Sequence, residues 1–146
     1  MWFGRGEIRK KPNLYNMQTN SDIITLRGLA TVYETMNAVA STLTGHGAFI
    51  YARIDQETEA EKVGLILKPM KLLIFGNPKA GIPLMNANPL CGLDLPLKIL
   101  VWEDDSQKTW VSYNSFSYLQ KRFDLPSELI QNLSGVEKLI QQALKV

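Results

Sequence analysis

Histidine and cysteine are nearly missing from this sequence: each occurs once, as His46 and Cys91. A lone cysteine excludes an internal disulfide framework and agrees with a reducing compartment. One His and one Cys, far apart in the chain, make neither a zinc set nor a nucleophile–base pair. A Ser-His-Asp triad would have only His46 to use, and there is no Gly-x-Ser-x-Gly elbow. Long apolar runs are lacking too. The longest, Leu72–Phe75 and Ile99–Trp102, are strand-sized, well short of the ~20 residues a bilayer helix needs. Arg9, Lys10 and Lys11 are followed by no apolar stretch, so no secretory signal is expected and the cytoplasm is the expected location. A strong net charge is also missing. The formal charge is +2, and residues 1–16 hold four cations against Glu7, which leaves the remainder slightly acidic. That body lacks the electrostatic drive for phosphate backbones, and nucleic acid is not expected as a partner.

What remains is an ordinary globular composition, 45% hydrophobic and 21% charged over 146 residues. This is the size of one domain. Residues 1–21 are expected to be a flexible extension, with Met17 a possible true start, and residues 22–146 a single domain.

Ile23–Leu26 reads as a strand. Thr31 and Glu34 have capping-box spacing, and Val32, Met36, Val39, Ala40 and Leu43 follow at helical spacing up to Gly45 and Gly47. Residues 48–54 form a second strand leading into Asp55, then an acidic helical turn, residues 57–63, closed by Gly64. Residues 71–76 form a third strand, apolar on both faces and hence interior. Asn77-Pro78 breaks it, and a short helix is predicted over 82–88 with Pro83 at its first position. Residues 98–103 and 108–114 are expected to pair as an antiparallel hairpin around the polar turn 104–107. Thr109, Val111 and Tyr113 would then face one way, and Trp110, Ser112 and Asn114 the other. Ser115 heads a helix carrying Phe116, Leu119 and Phe123. Ser134 and Glu137 repeat the capping-box spacing before a stripe of Val136, Leu139, Ile140 and Ala143. The fold class is α+β: an antiparallel-rich sheet packed on one side by two main helices.

From the second strand onward an ordered series of motifs appears. Arg53-Ile54-Asp55 is followed by Gly64-Leu65 with Pro69, Phe75-Gly76-Asn77-Pro78 and Pro83-Leu84-Met85. Then come Leu93-Asp94-Leu95-Pro96-Leu97-Lys98, Val101-Trp102-Glu103, and Trp110 with Tyr113-Asn114. Over about residues 22–125 this resembles the bacterial family called domain of unknown function 302. The resemblance implies a strand-helix-four-strand-helix arrangement, TATA-binding-protein-like in outline, and commonly a dimer. A shared outline does not confer DNA binding, because function belongs to sites and not to folds. Members of the family usually carry His where this chain has Gln56, and Thr where it has Ile82. Any proton transfer or metal binding resting on that His would be lost here, leaving binding without reaction.

The candidate chemistry is sparse. Asp55 and Asp94 each stand at a strand end, and Lys98 lies four residues beyond Asp94, so an Asp–Lys couple could orient a polar ligand or act in acid–base catalysis. The local alternative is that Asp55 caps the following helical turn and Asp94 fixes a turn before Pro96 through backbone amides. The turn Phe75-Gly76-Asn77-Pro78 could offer amides to an anionic group, or need Gly and Asn for backbone reasons alone. Tyr113 and Asn114, with Trp102 and Trp110, could line a pocket, or be core or interface aromatics. His46 suits a helix C-terminus and Cys91 a buried, inert thiol. No cofactor motif and no metal set is present.

The sequence therefore points first to a dimeric small-molecule-binding or accessory domain, its ligand a small polar metabolite. Asp55, Phe75, Gly76, Asn77, Asp94, Lys98 and Tyr113 would converge on one cleft. An enzyme using an Asp–Lys pair, and a structural or protein-interaction module without a ligand site, are the alternatives.

Overall fold

A computed structural model describes residues 22–146. The expectations for residues 1–21, Met17 among them, lie outside these residues. Five strands, β1 (Ile23–Arg27), β2 (Phe49–Asp55), β3 (Met70–Gly76), β4 (Leu97–Glu103) and β5 (Thr109–Asn114), form one antiparallel sheet in the order β1-β5-β4-β3-β2. The sequence-predicted hairpin is β4–β5, and β3 is interior as expected.

Two helices cover one face. In α1 (Val32–Gly45), Thr31 accepts from the Glu34 amide at 3.0 Å, and Val32, Met36, Val39, Ala40 and Leu43 are buried. Each of the four larger side chains is worth roughly 1.5–3 kcal/mol of burial. The helix ends where Gly47 takes φ +90°, a left-handed conformation that favours glycine. It packs on α6 (Ser134–Leu144), which buries Ile140, Ala143 and Leu144. Beneath them lie Leu73 and Phe75 of β3, Ile99 and Val101 of β4, and Val111 and Tyr113 of β5. The opposite side of the sheet carries half-buried rows, Met70-Trp102-Trp110 with Arg27, and Ile54-Leu72-Leu100 with Ser112 and Thr25. Trp110 and Tyr113 thus face opposite ways, as alternation requires.

Two short helices, α2 (Gln56–Lys62) and α3 (Pro78–Ala87), connect strands, and a third, α4 (Phe116–Phe123), follows β5. The Ser115 hydroxyl caps α4, accepting from the Tyr118 amide at 3.1 Å. Two expectations fail. The helix predicted over 82–88 starts earlier, at Pro78, because Asn77 caps it and Pro78 suits the first position as well as Pro83 would. Pro83 lies inside, giving up one helical hydrogen bond. Asn88 then caps a 3₁₀ turn, Pro89–Leu93, which buries Cys91. Ser134 forms no capping box. The short helix α5 (Ser127–Ile130) and a 3₁₀ turn (Gln131–Leu133) lead into α6 already in helical conformation, so Ser134 is a helical residue and its hydroxyl donates back to the Gln131 carbonyl at 2.8 Å.

Candidate functional site

A hollow of about 340 Å³ lies where the C-terminal end of α1, the start of β2, the end of β3, α3 and α6 meet. Its floor is buried and apolar: Leu43, Phe75, Leu97 and Leu133. Leu95 and Pro96, joined by a cis peptide, form one wall, and Ala80 and Met85 of α3 another. The polar lining residues, His46, Tyr51, Asn77 and Asn132, are all exposed at the rim. Among the described residues no Asp, Glu, Lys or Arg lines it. Three glycines, Gly76, Gly81 and Gly135, leave space that side chains would occupy. A Cβ on Gly135 would meet nothing within 4 Å.

The rim groups are partly committed. The Nδ1 atom of His46 lies 2.9 Å from the Thr42 carbonyl, an orphan acceptor of the last turn of α1. A carbonyl can only accept, so in the neutral ring Nδ1 carries the proton and Nε2 is left as an acceptor. Asn77 Oδ1 accepts from the Lys79 amide at 3.0 Å, and the Asn77 carbonyl accepts from the Ala80 and Gly81 amides at 3.0 and 2.9 Å. The amides that would have cradled an anion are thereby occupied, and Pro78 has none to offer. The backbone role of this turn is what its geometry displays.

Of the sequence-predicted residues, Phe75, Gly76 and Asn77 line this hollow; Asp55, Asp94, Lys98 and Tyr113 do not. The expected common cleft is absent because the residues belong to different ends and faces of the sheet. Asp55 is at the far end of β2, beside a smaller hollow of about 110 Å³. Lys71, its partner across β2–β3, is five residues from Gly76, or roughly 17 Å along an extended strand. Asp55 caps α2, accepting from the Thr58 amide at 3.1 Å, and accepts from Lys71 Nζ at 2.6 Å. The Lys71 hydrogen bond, then the capping amide, lowers its pKa.

Asp94 pairs with Arg122 of α4 at 2.9 Å, not with Lys98. Lys98 projects from β4 on the open face of the sheet, exposed, with its register partner Ile74. Tyr113 is buried on the helix side, and desolvation there, helped by Glu137, pushes its pKa up to about 12. Gln56, where the family's His would stand, opens α2 next to Asp55, and Ile82 is exposed on α3. Desolvation by its surroundings raises the Cys91 thiol above its ordinary value, which disfavours the nucleophilic thiolate. Among the described residues no group of three or more His, Cys, Asp or Glu is placed to hold a metal ion.

Sequence reasoning missed the contribution of His46, Tyr51 and Asn132 to the rim. Their spacing carries no signal, since each comes from a different element.

The sequence matches the family described as "Domain of unknown function DUF302" over residues 24–145. The chain belongs to this family. Its fold is shared with the uncharacterized conserved DUF302 protein of Bacillus stearothermophilus, at TM-score 0.71 and 21% identity, over 85% of this chain and 96% of that one. A stretch of 106 residues, 73% of the chain, is 38% identical to part of the fluoride-specific ion channel FluC 1 of Brucella suis. The fluoride-specific ion channel FluC 2 of Brucella melitensis matches at the same identity and length. The DUF302 chain spans only 42% and 39% of the length of these two relatives. No helix among its described residues is long and apolar enough to cross a membrane.

Proposed function

We propose that this DUF302 domain is a small-molecule-binding module whose site is the hollow between α1, α3 and α6. The observation that carries the reading is the hollow itself: about 340 Å³, with an apolar floor and a few polar groups at its rim. That size and lining are typical of ligand sites. The lining shifts the expected ligand from a polar metabolite to a mainly apolar one, because a strongly polar molecule would lose its hydration against Leu43, Phe75, Leu97 and Leu133 without regaining it. In the Brucella relatives an equivalent stretch forms part of polypeptides named as fluoride channels. We take the module's share there to be accessory, since the match covers less than half of them.

A thermal-shift screen of a library of small apolar fragments tests this. Ligands that bind only the folded state raise its stability. Hits should raise the melting temperature of the natural sequence and lose that effect in Gly135→Phe, which places a ring where open space now lies. A library without such hits removes the reading.

The open face of the sheet favours a second, compatible role in self-association. Met70, Trp102 and Trp110 form a half-buried row, and Val63, Leu65 and Ile66, in the segment leading to β3, are exposed, Ile66 fully. The charged residues that β1 and β4 place on the open face, Arg27 and Lys98, are both cations. A second copy supplies apolar surface to cover the row. Sedimentation equilibrium should give a dimer that Leu100→Lys dissociates. A monomer at all concentrations would remove this role.

A further inference from the structure

Resting on the pocket reading, we infer that the ligand is an uncharged aromatic molecule of about two rings that bears one hydroxyl or ring N–H. Among the described residues the lining selects against charge. It holds no Asp, Glu, Lys or Arg to pair with an ionised ligand. The backbone donors nearest the turn, the amides of Lys79, Ala80 and Gly81, already donate to Asn77. An ionised group entering this hollow would lose its hydration with nothing in exchange, a cost that normally forces it to neutralise or stay out.

Size sets the scale. An apolar cavity of about 150 Å³ takes one benzene. The hollow here, about 340 Å³, is roughly twice that and open to solvent at its rim. The surfaces that would meet the ligand suit a flat ring. Phe75 forms part of the floor, Tyr51 stands at the rim, and Met85 contributes a thioether, which packs favourably against aromatic edges. Flat access is helped at Gly76, where a Cβ would already sit 3.6 Å from Pro96 and 3.7 Å from Tyr51.

His46 calls for one hydrogen-bond donor on the ligand. With Nδ1 of His46 held by the Thr42 carbonyl, the neutral ring has one acceptor left for a ligand, Nε2. A hydroxyl or ring N–H can satisfy it while the ring body stays on the floor. An ether or a plain hydrocarbon cannot.

The test is a matched series on the full chain, followed by protein-observed NMR: 2-naphthol, naphthalene, 2-naphthoate and 2-naphthylmethylammonium, at a pH where the last two are ionised. The expected result is saturable binding of 2-naphthol, at least tenfold tighter than either ion and several-fold tighter than naphthalene. His46→Phe should remove the preference for the hydroxyl, so that 2-naphthol and naphthalene bind with equal affinity to the variant. Gly135→Phe should abolish both. Should that variant fail to fold, Asn132→Trp, at an exposed rim position, serves as the block. Equal or tighter binding of an ion, or a His46→Phe variant that keeps the preference for naphthol, overturns the inference. If all four fail while other fragments shift the resonances of Leu43 and Leu133, the ligand class is wrong and the pocket stands. If nothing shifts those resonances, the pocket reading falls with it.

Discussion

Asp104 shows how much one carboxylate organises in this fold. Its Oδ1 accepts from the amides of Ser106 and Lys108 at 2.8 and 2.9 Å, and its Oδ2 from Trp110 Nε1 at 2.8 Å. The Trp110 bond, then the two amides, holds its pKa below the ordinary value despite opposing desolvation. A carboxylate with a depressed folded-state pKa contributes stability that is fully present above its unfolded value, about 3.9, and is lost as pH falls through the lower folded one. Asp104→Asn should therefore lower the melting temperature at neutral pH and flatten the acid limb of stability below about pH 4. Melts across pH for both proteins read this directly, and parallel acid limbs would contradict it. At Asp55 the cap and the ion pair can be separated. Asp55→Asn keeps a good cap and should cost little, as half-exposed pairs are worth roughly 0–1 kcal/mol. Asp55→Ala removes the cap as well and should cost about 0.5–2 kcal/mol more in urea denaturation. The cap was legible in the sequence because Asp55 and Thr58 are near neighbours. Lys71 was not, because its approach depends on the register of β2 against β3.

Elements were legible wherever a periodic stripe met a local cap. The α1 stripe, the β4–β5 hairpin and the α4 start at Ser115 all combine a pattern with a nearby signal, and all stand as read. The errors at α3 and α6 have separate causes. Two prolines competed for the start of α3, and only the Asn77 side chain decided between them. At α6 the preceding 3₁₀ turn, invisible in the pattern, made Ser134 a helical residue. The junction of β1 with α1 yields a prediction at this scale. Thr35 is fully buried; its hydroxyl donates to the Thr31 carbonyl at 2.7 Å and accepts from the Leu29 amide at 2.9 Å. Thr35→Val keeps the shape but leaves that amide without its partner, which should cost about 1–3 kcal/mol in denaturant unfolding. A cost near zero would show that water replaces the hydroxyl. The same junction explains Gly28. A Cβ there would come within 2.7 Å of the Thr109 methyl and 3.1 Å of its carbonyl oxygen, so Gly28→Ala should also destabilise.

For the whole molecule, the sheet order decides which residues meet. The chain reads Asp55, Asn77, Asp94 and Lys98 in sequence, and the topology β1-β5-β4-β3-β2 sends them to different ends and faces. Only the Phe75–Asn77 turn reaches the hollow, where it joins His46 from the end of α1 and Asn132 from the approach to α6. No local spacing encodes that meeting, since it follows from packing α1 and α6 together over the sheet. That no Asp, Glu, Lys or Arg among the described residues lines the hollow also emerges only in three dimensions, because the sequence around the turn includes Lys79, Asp94 and Lys98. The most direct measurement is methyl-resolved NMR of the natural sequence and of Gly135→Phe, each titrated with whatever small apolar fragment stabilises the former. The prediction is that Leu43, Ala48, Leu97 and Leu133 shift together and saturate in the natural sequence, and stay still in the variant. Shifts confined to the open face of the sheet, or identical titrations for the two proteins, would contradict it.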